Sequence, residues 1–418
     1  MQSRTDYSPE LSAFLQNNQE RLCVLGTSLA MQYQKNHQTD PLQLQEWLQL
    51  KNVVNMYRVC DAFYRGSLFY SQDPYHFASK KNFDKTYLSL TTVQHLNPIV
   101  YARGSERRLV PGSYLIDDAC ESPARVLNEL LFSCTRMDCT GSIGIVYHLT
   151  LLDLLKVIHG DEVGTNYFDT LFAAKPNEAH DFNRLRLGMM GNMDTNRWPD
   201  FSPIYYFGAL KRNITLEQIK QDPTQYIGAR IFIQGYPKYL EKHPHGAAQG
   251  WNVIVLGQSA ESELLYLAAN EKGKKYVYTH SELISMLAFN YNVFPDCHNA
   301  FAANSCSIDQ VGLFFGYSST FNLTAINKLL SNFDRCMQEL KRCCDGYYQK
   351  KIICNGYQSI SYAEHPLFVS SSIIKKIGDD HDSSSLRFFR PSYRTDTQHA
   401  YSVDDGQLAV GYRLSSKR

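Results

Sequence analysis

The stretch of sequence that decides the fold is Met137-Asp138-Cys139-Thr140-Gly141-Ser142-Ile143-Gly144-Ile145-Val146-Tyr147-His148. It opens with polar residues and then runs apolar on nearly every side to about Ile158. A helix that is apolar all round is buried inside a protein. The pattern therefore predicts a buried central helix that begins at Asp138-Cys139-Thr140, with Gly141 and Gly144 letting neighbouring backbone approach closely.

Helices and short strands are predicted before this segment. Ser8 can cap the first of one or two short helices over residues 8–35. A further helical segment follows over 41–69, and Ser122-Pro123 starts another helix. Between residues 75 and 115 the pattern changes to short β-like runs bounded by turns. These runs are Thr86–Leu90, Ile99–Tyr101 and Ser113–Leu115.

After the central helix comes a long polar connection over residues 160–225, in which Thr215-x-x-Gln218 has the form of a capping box. Three β-type runs separated by Gly and Pro then predict a hairpin or meander. The runs are Ala229–Ile233, Asn252–Leu256 and Leu264–Ala268.

The core pattern ends near Asn290, after a helix predicted over Ser281–Ala288. Beyond it, one strongly periodic helix is expected from Ile326 to Cys344. The Ser/Asp-rich segment Gly378–Arg418 is predicted to be irregular.

Composition excludes several classes of protein. With 42 basic and 41 acidic side chains in 418 residues, the net charge of +1 provides no general attraction to nucleic acid or an acidic membrane. The apolar run Ile143–Ile158 is interrupted by His148, Asp153 and Lys156, so a soluble protein is expected. The 11 cysteines are odd in number and irregularly spaced, which favours reduced thiols and a cytoplasmic environment. The sequence leaves open an export into another cell.

A cysteine at the start of a buried helix, followed by antiparallel strands, is the arrangement of papain-like cysteine enzymes. The thiolate is the nucleophile in such enzymes, and the free N–H groups at a helix N-terminus lower the pKa of a thiol. The same N–H groups can hold the oxyanion of an acyl-transfer intermediate. Cys139 occupies this position, and the alternative interpretation is a buried cysteine that only packs.

Segment 137–148 resembles the active-site segment of bacterial spore-coat transglutaminases, a family of protein-glutamine gamma-glutamyltransferases with a papain-like, NlpC/P60-like core. An acidic residue, the nucleophilic cysteine and a small residue lead into an apolar helix in that family. Gly228–Phe232 and Gln249–Gly257 resemble two of its core strands, the second through the pattern Asn-Val-Ile-x-Leu-Gly. With the upstream elements in the family's order, the resemblance covers residues 50–290.

This resemblance implies an α+β fold with three parts. Residues 1–49 would form a helical N-terminal extension, residues 50–290 the papain-like (transglutaminase-like) core, and residues 291–418 a C-terminal unit with a partly irregular tail. The implied function is acyl transfer on glutamine side chains of proteins through a Cys139 thioester. A lysine amine would accept the acyl group in cross-linking, and water would accept it in deamidation. No cofactor, metal, nucleic acid or membrane is implied.

The chain departs from the family pattern where the base is expected. The family places a carboxylate immediately before the Asn-Val-Ile strand, where this chain has Trp251, and a histidine after the next strand, where it reads Ala268-Ala269-Asn270. Asp138 matches the family's acidic residue, His245 and His243 are the candidate replacement bases, and Trp251 and Asn252 are substrate-site candidates. We expect His280 at an exposed helix start, His148 packed inside the central helix, and Cys297-His298 in a structural role.

Two other functions remain open at this point. A degenerate member of the family would act as a protein-binding scaffold, and the indole of Trp251 in place of a carboxylate argues for it. A cysteine amidohydrolase or peptidase on the same skeleton would need a histidine opposite Cys139.

Overall fold

The computed structural model describes most of the chain between residues 8 and 342 and two short strands beyond it. The described ranges are 8–65, 68–70, 93–94, 99–103, 106–110, 114–116, 122–132, 135–137, 139–172, 186–187, 203–212, 214–243, 248–269, 275–295, 299–311, 315–342, 402–404 and 407–409. Predicted strand Thr86–Leu90 and the Cys297-His298 pair lie outside them.

Ten α-helices are numbered here within this part of the chain. They are α1 (Pro9–Asn36), α2 (Pro41–Tyr64), α3 (Pro123–Leu130), α4 (Cys139–His159), α5 (Asp161–Phe172), α6 (Pro203–Tyr206), α7 (Leu216–Gln221), α8 (Tyr239–Lys242), α9 (His280–Asn292) and α10 (Leu323–Ser331). A further helical stretch covers 333–342. Short 3-10 helices cover Pro223–Tyr226 and Ile308–Gln310.

The strands are short except in the main sheet. They are β1 (Leu68–Tyr70), β2 (Val93–Gln94), β3 (Ile99–Arg103), β4 (Glu106–Val110), β5 (Tyr114–Ile116), β6 (Thr135–Met137), β7 (Arg186–Leu187), β8 (Gly208–Arg212), β9 (Arg230–Gln234), β10 (Gly250–Gln258), β11 (Leu264–Leu267), β12 (Val277–Thr279), β13 (Phe315–Phe321), β14 (Ser402–Asp404) and β15 (Gln407–Ala409).

The centre of the fold is a six-stranded sheet in the order β12-β11-β10-β9-β13-β8, with every pair antiparallel. The fold is therefore of the mixed α+β class. The predicted meander is confirmed, because β9, β10 and β11 are neighbours in chain order. Smaller sheets pair β1 with β6, β3 with β4, β14 with β15, and β2 and β7 with β5. The β14–β15 hairpin lies within the segment predicted to be irregular.

Each face of the sheet covers its own hydrophobic core. The first core joins α1, α2, α4, α5 and α10 to Ile254, Leu256 and Leu267 of the sheet. The second core joins α7, α9 and the segment around Val311 to Ile231, Val253 and Val255. Because successive strand residues point to opposite faces, the alternation along β10 separates the two cores.

Helix starts follow the sequence signals closely. Ser8, Asp40 and Ser122 each cap a helix whose first residue is proline, at α1, α2 and α3. The capping box of Thr215 and Gln218 is confirmed by hydrogen bonds in both directions, 3.3 Å and 3.0 Å long. The predicted helices at 8–35, 41–69 and 281–288 are thus observed with ends shifted by a few residues.

The domain boundary predicted near residue 290 does not separate two hydrophobic cores. Strand β13 inserts between β9 and β8, and α10 contributes Ile326, Leu329 and Leu330 to the first core. The N-terminal extension is likewise not separate, because Leu11 and Leu29 of α1 lie in the same core. Segments at both ends of the chain therefore complete the central unit.

The single helix predicted from Ile326 to Cys344 is also interrupted. It breaks at Asn332, whose φ of −156° and ψ of 89° are extended rather than helical. Oδ1 of Asn332 accepts from the Arg335 backbone N–H over 2.9 Å, so the residue caps the stretch 333–342. Hydrophobic periodicity continued across this cap, which is why the sequence pattern suggested one helix.

Close backbone approach occurs at glycines other than the predicted Gly144. A Cβ on Gly144 would meet nothing within 4 Å, whereas one on Gly164 would lie 2.5 Å from the Leu155 backbone, where α5 crosses α4. Gly228 has φ of +71°, and a Cβ there would lie 2.0 Å from the Gln49 carbonyl oxygen of α2. This last contact fixes α2 against the start of β9.

Helix α4 is the one helix of the described chain that is long and apolar enough to cross a membrane, and 78% of that apolar window is buried inside the fold. Its charged side chains have partners on neighbouring helices. Asp153 lies 3.2 Å from Lys51 Nζ and accepts from Asn55 Nδ2 over 3.1 Å, both on α2. The helix is the predicted central helix of a protein core.

Candidate active site

The first residue of α4 is Cys139, and its side chain is 8% exposed. Just before it, β6 pairs in parallel with β1, the strand that follows α2. The body of α4 packs against α2, α5 and β10. These elements hold the helix start against the sheet and place the thiol beside β10.

Three buried side chains are connected by hydrogen bonds at this point. Asn252 Nδ2 donates to Cys139 Sγ over 3.5 Å. Oδ1 of the same amide accepts from Arg230, over 2.9 Å from Nε and 2.7 Å from Nη2. The guanidinium therefore holds the amide oxygen and turns the amide NH₂ toward the sulfur. We refer to Cys139, Asn252 and Arg230 as the thiol network.

Strand register explains why these residues meet. Asn252 lies opposite Phe232 and Ile254 lies opposite Arg230 in the antiparallel pair β9–β10. Directly opposed residues point to the same face of a sheet, so Arg230 and Asn252 both face the helix layer with Ile254. Gly250 leaves room for the Phe232 ring on this face of the sheet, because a Cβ at position 250 would lie 2.4 Å from Phe232 Cζ.

A second polar tie joins α4 to the sheet further along the helix. The Tyr147 hydroxyl donates to the Ser319 carbonyl oxygen over 2.8 Å and lies 3.0 Å from Ser319 Oγ. Ser319 is the register partner of Arg230 on β13. The helix is thus fixed to the sheet at two points, about 12 Å apart at 1.5 Å per residue.

Two features of the network would stabilise a negative charge on sulfur, whereas burial of the thiol opposes that charge. Arg230 is 1% exposed, and burying a cation is costly unless anions or oriented acceptors surround it. Its hydrogen bonds to Asn252 are charge-assisted and polarise the amide toward the thiol. The N-terminus of α4 acts in the same direction. A thiolate at Cys139 would in turn lower the cost of the buried guanidinium.

Trp251, a substrate-site candidate, packs differently from its neighbour Asn252. It points to the face of the sheet opposite Asn252, in the second core. Its indole Nε1 donates to the Ala269 carbonyl oxygen over 3.2 Å, and its ring lies 6.4 Å from that of Tyr278. Cys139 packs in this same core, so Trp251 remains a substrate-site candidate, while Asn252 is the neighbour that donates a hydrogen bond to the thiol.

The candidate bases have different outcomes. His243 is buried rather than in a solvated loop, its Nε2 lies 2.9 Å from the Tyr291 carbonyl oxygen, and its ring stacks on Tyr239. These contacts tie it to α9 and give its proposed role as base no support. Asp138 and His245 lie outside the described residues, so both remain predictions.

Two further histidines are buried. His280, predicted at an exposed helix start, is the first residue of α9 but is only 7% exposed, with Nδ1 3.3 Å from the Tyr266 hydroxyl. Burial lowers the pKa of His280 to about 4. His148 packs inside α4 as expected; its Nδ1 lies 2.7 Å from the Gly144 carbonyl oxygen, and burial lowers its pKa to about 4.

Arg230 is the functional residue that the sequence analysis did not select. The arginine inside the apolar run Ala229–Ile233 could have drawn attention, because a strand buried on both faces rarely holds a charged side chain that is not paired. Nothing in the sequence, however, shows that its partner lies on the next strand and that a thiol lies beyond that partner.

The described residues bring together no group of three or more His, Cys, Asp or Glu side chains that could hold a metal ion. No protein-family model matches this chain, and no curated protein matches it. The interpretation of the site therefore depends on its geometry.

Proposed function

We propose that this chain is a cysteine acyltransferase with a papain-like core that acts on the side-chain carboxamide of protein glutamines. The observation that carries the proposal is the hydrogen bond from Asn252 Nδ2 to Cys139 Sγ, with the Arg230 guanidinium behind the amide. A buried thiol at a helix start, next to a polarised amide and a cation, is the environment of a nucleophilic cysteine.

The proposed reaction has two steps. The Cys139 thiolate forms a C–S bond to the carboxamide carbon, the C–N bond breaks, and the nitrogen leaves as ammonia after taking a proton from water. A lysine amine then attacks the thioester, forms an isopeptide bond, loses its extra proton to solvent and returns the thiolate. Water in place of the amine gives glutamate. The backbone N–H groups of the first turn of α4 would hold the oxyanion.

Asn252 and Arg230 would stabilise the thiolate but would not transfer protons. An amide is neither acid nor base near neutral pH, and a guanidinium does not deprotonate in proteins. A positioned general acid or base contributes about 10²–10⁴-fold to the rate of such reactions. We therefore expect a slow enzyme unless Asp138 or His245 supplies this role.

The second candidate function is a protein-binding scaffold that keeps the network without turnover. The low exposure of the Cys139 side chain and the engagement of His243 with α9 favour this alternative. A peptidase or amidohydrolase would need a histidine opposite the thiol, and the contacts of His243 do not supply one.

Incorporation of a fluorescent alkylamine into a glutamine-rich protein, without calcium, tests the proposal. We expect labelled product with the natural protein and with Cys306→Ala, and none with Cys139→Ala. Cys306 is the matched control, because it is also buried and burial raises the pKa of its thiol. Ammonia release without amine incorporation would identify deamidation. Absence of both products, together with a Cys139 thiol no more reactive than that of Cys306, would contradict the proposal and support the protein-binding scaffold instead.

A further inference from the structure

A small cavity lies between α2, the end of β13 and the start of α10, beside the residue Gly228 that precedes β9. Its volume is about 110 Å³. None of the three residues of the thiol network lines it. Cavities of roughly 150 Å³ hold benzene, so this space suits a group of about four or five non-hydrogen atoms.

One side chain in the wall has an unmet hydrogen bond. Asn52 is 2% exposed, and its Nδ2 donates to the Gly228 carbonyl oxygen over 3.0 Å. That bond fixes the orientation of the amide. Oδ1 of Asn52 is buried and has no hydrogen-bond partner, which is an unfavourable state for a buried acceptor. The cavity therefore presents an acceptor that needs a donor.

The remaining wall restricts the chemistry of that donor. Gln49 also lines the cavity, and its Nε2 donates to the Gln225 carbonyl oxygen over 2.8 Å. Gln45 and Thr320 add uncharged polar groups, while Leu48, Phe321 and Leu323 are apolar. Because no lining side chain carries a charge, an ammonium or a carboxylate would lose its hydration without compensation.

We propose that this cavity binds a primary carboxamide, either as a free small molecule or as the end of an asparagine or glutamine side chain of a partner protein. The carboxamide N–H would donate to Asn52 Oδ1, its oxygen would accept from Gln45 or Thr320, and its short alkyl part would contact Leu48 and Phe321. An amide carries two donors and one acceptor oxygen without charge, which matches this wall. The inference does not depend on the chemistry of Cys139.

Ligand-observed NMR titration of the full chain carrying Cys139→Ala, which prevents any turnover, tests the proposal. Propionamide is expected to bind saturably. N,N-dimethylpropionamide, which has no N–H, and the charged propionate and propylammonium ions are each expected to bind at least tenfold more weakly. Asn52→Leu should weaken propionamide at least tenfold because it removes the acceptor.

Leu323 lies at the half-buried rim of the cavity, and Leu323→Trp should fill the cavity without touching the Asn52–Gly228 bond. This variant replaces Asn52→Leu in the test if Asn52→Leu does not fold. It should also weaken propionamide at least tenfold. A capped Gly-Gln-Gly peptide that binds more tightly than propionamide and than its norleucine counterpart would identify a protein side chain as the ligand. Weaker peptide binding would identify a free amide. Absence of saturable propionamide binding, equal binding of the dimethyl amide, or full binding in the folded variants would overturn the proposal and leave a cavity filled by water.

Discussion

Two groups of buried polar side chains beside the six-stranded sheet end on different kinds of partner. On the side of the second core, three polar groups end on backbone oxygens: Trp251 Nε1 on Ala269, His243 Nε2 on Tyr291 and Lys242 Nζ on Asn304. On the other face, Arg230 and Asn252 are joined through their side chains to Cys139, whose own side chain packs in the second core.

We propose that this difference separates structural polar groups from reactive ones. A backbone oxygen keeps its charge and position, so a side chain bonded to it is committed to holding the fold. A network that ends on a thiol can change its charge, because sulfur can lose a proton while the amide and the guanidinium adjust to it. The comparison explains why we assign chemistry to the thiol network only.

The largest expected effect concerns the packing that holds α2 against β9 on the first side. Gly228→Ala should lower the free energy of unfolding by about 3–5 kcal/mol, because the new Cβ would meet the Gln49 carbonyl and the positive φ disfavours any side chain. Urea unfolding of the variant and the natural protein measures this loss of stability.

Gly257→Ala is the matched control for this substitution. Gly257 also has a positive φ, of +142°, but a Cβ there meets nothing within 4 Å, so only the conformational cost of about 1–2 kcal/mol should appear. Equal losses at both glycines would show that α2 does not press on the start of β9.

The second prediction compares a buried histidine on each side, His148 in α4 and His280 in α9. Burial lowers both pKa values from 6.5 to about 4, so the unfolded chain binds a proton before the folded one does. Stability is then fully present above pH 6.5 and falls as the pH drops through the window from 6.5 to 4. Each histidine should lower the free energy of unfolding by about 1–2 kcal/mol when the pH falls from 7 to 5.

Urea unfolding of His148→Leu, His280→Leu and the natural protein at pH 7 and 5 checks this. Each variant should lose part of the pH dependence, and the double variant should lose most of it. An unchanged difference between the two pH values in both single variants would mean that neither imidazole is held neutral by the fold.

Much of the fold could be predicted from local sequence. Prolines after Ser8, Asp40 and Ser122 mark helix starts, and the all-round apolar run after Cys139 marks a buried helix, because both signals depend on residues close in the chain. The insertion of β13 next to β9 could not be predicted, since it joins residues about 85 positions apart and no local pattern encodes strand order.

The candidate site was predictable only in part. Cys139 and Asn252 can be selected from their motifs, but the sequence does not show that Asn252, rather than the adjacent Trp251, donates a hydrogen bond to the thiol. Arg230 was missed because its role depends on the register of β9 against β10. Strand register is fixed by packing and turn geometry rather than by residue type at one position.

The smallest expected effect lies on the second side. Trp251→Phe removes the indole hydrogen bond to Ala269 and should cost about 1 kcal/mol of stability. The rate at which iodoacetamide alkylates Cys139 should stay within about twofold, because the substitution removes none of the hydrogen bonds of the thiol network. A tenfold change in that rate would show that the two sides of the sheet are coupled.

The central claim is that the buried charge of Arg230, acting through Asn252, holds Cys139 as a reactive thiolate. The most direct measurement is the rate of Cys139 alkylation by iodoacetamide against pH, followed by mass spectrometry in the natural protein and in Arg230→Met, with Trp251→Phe as control. We predict that Arg230→Met slows alkylation at pH 7 at least tenfold and moves the midpoint of the profile to higher pH, while the control changes neither. A folded Arg230→Met variant with the natural rate and midpoint would contradict the claim.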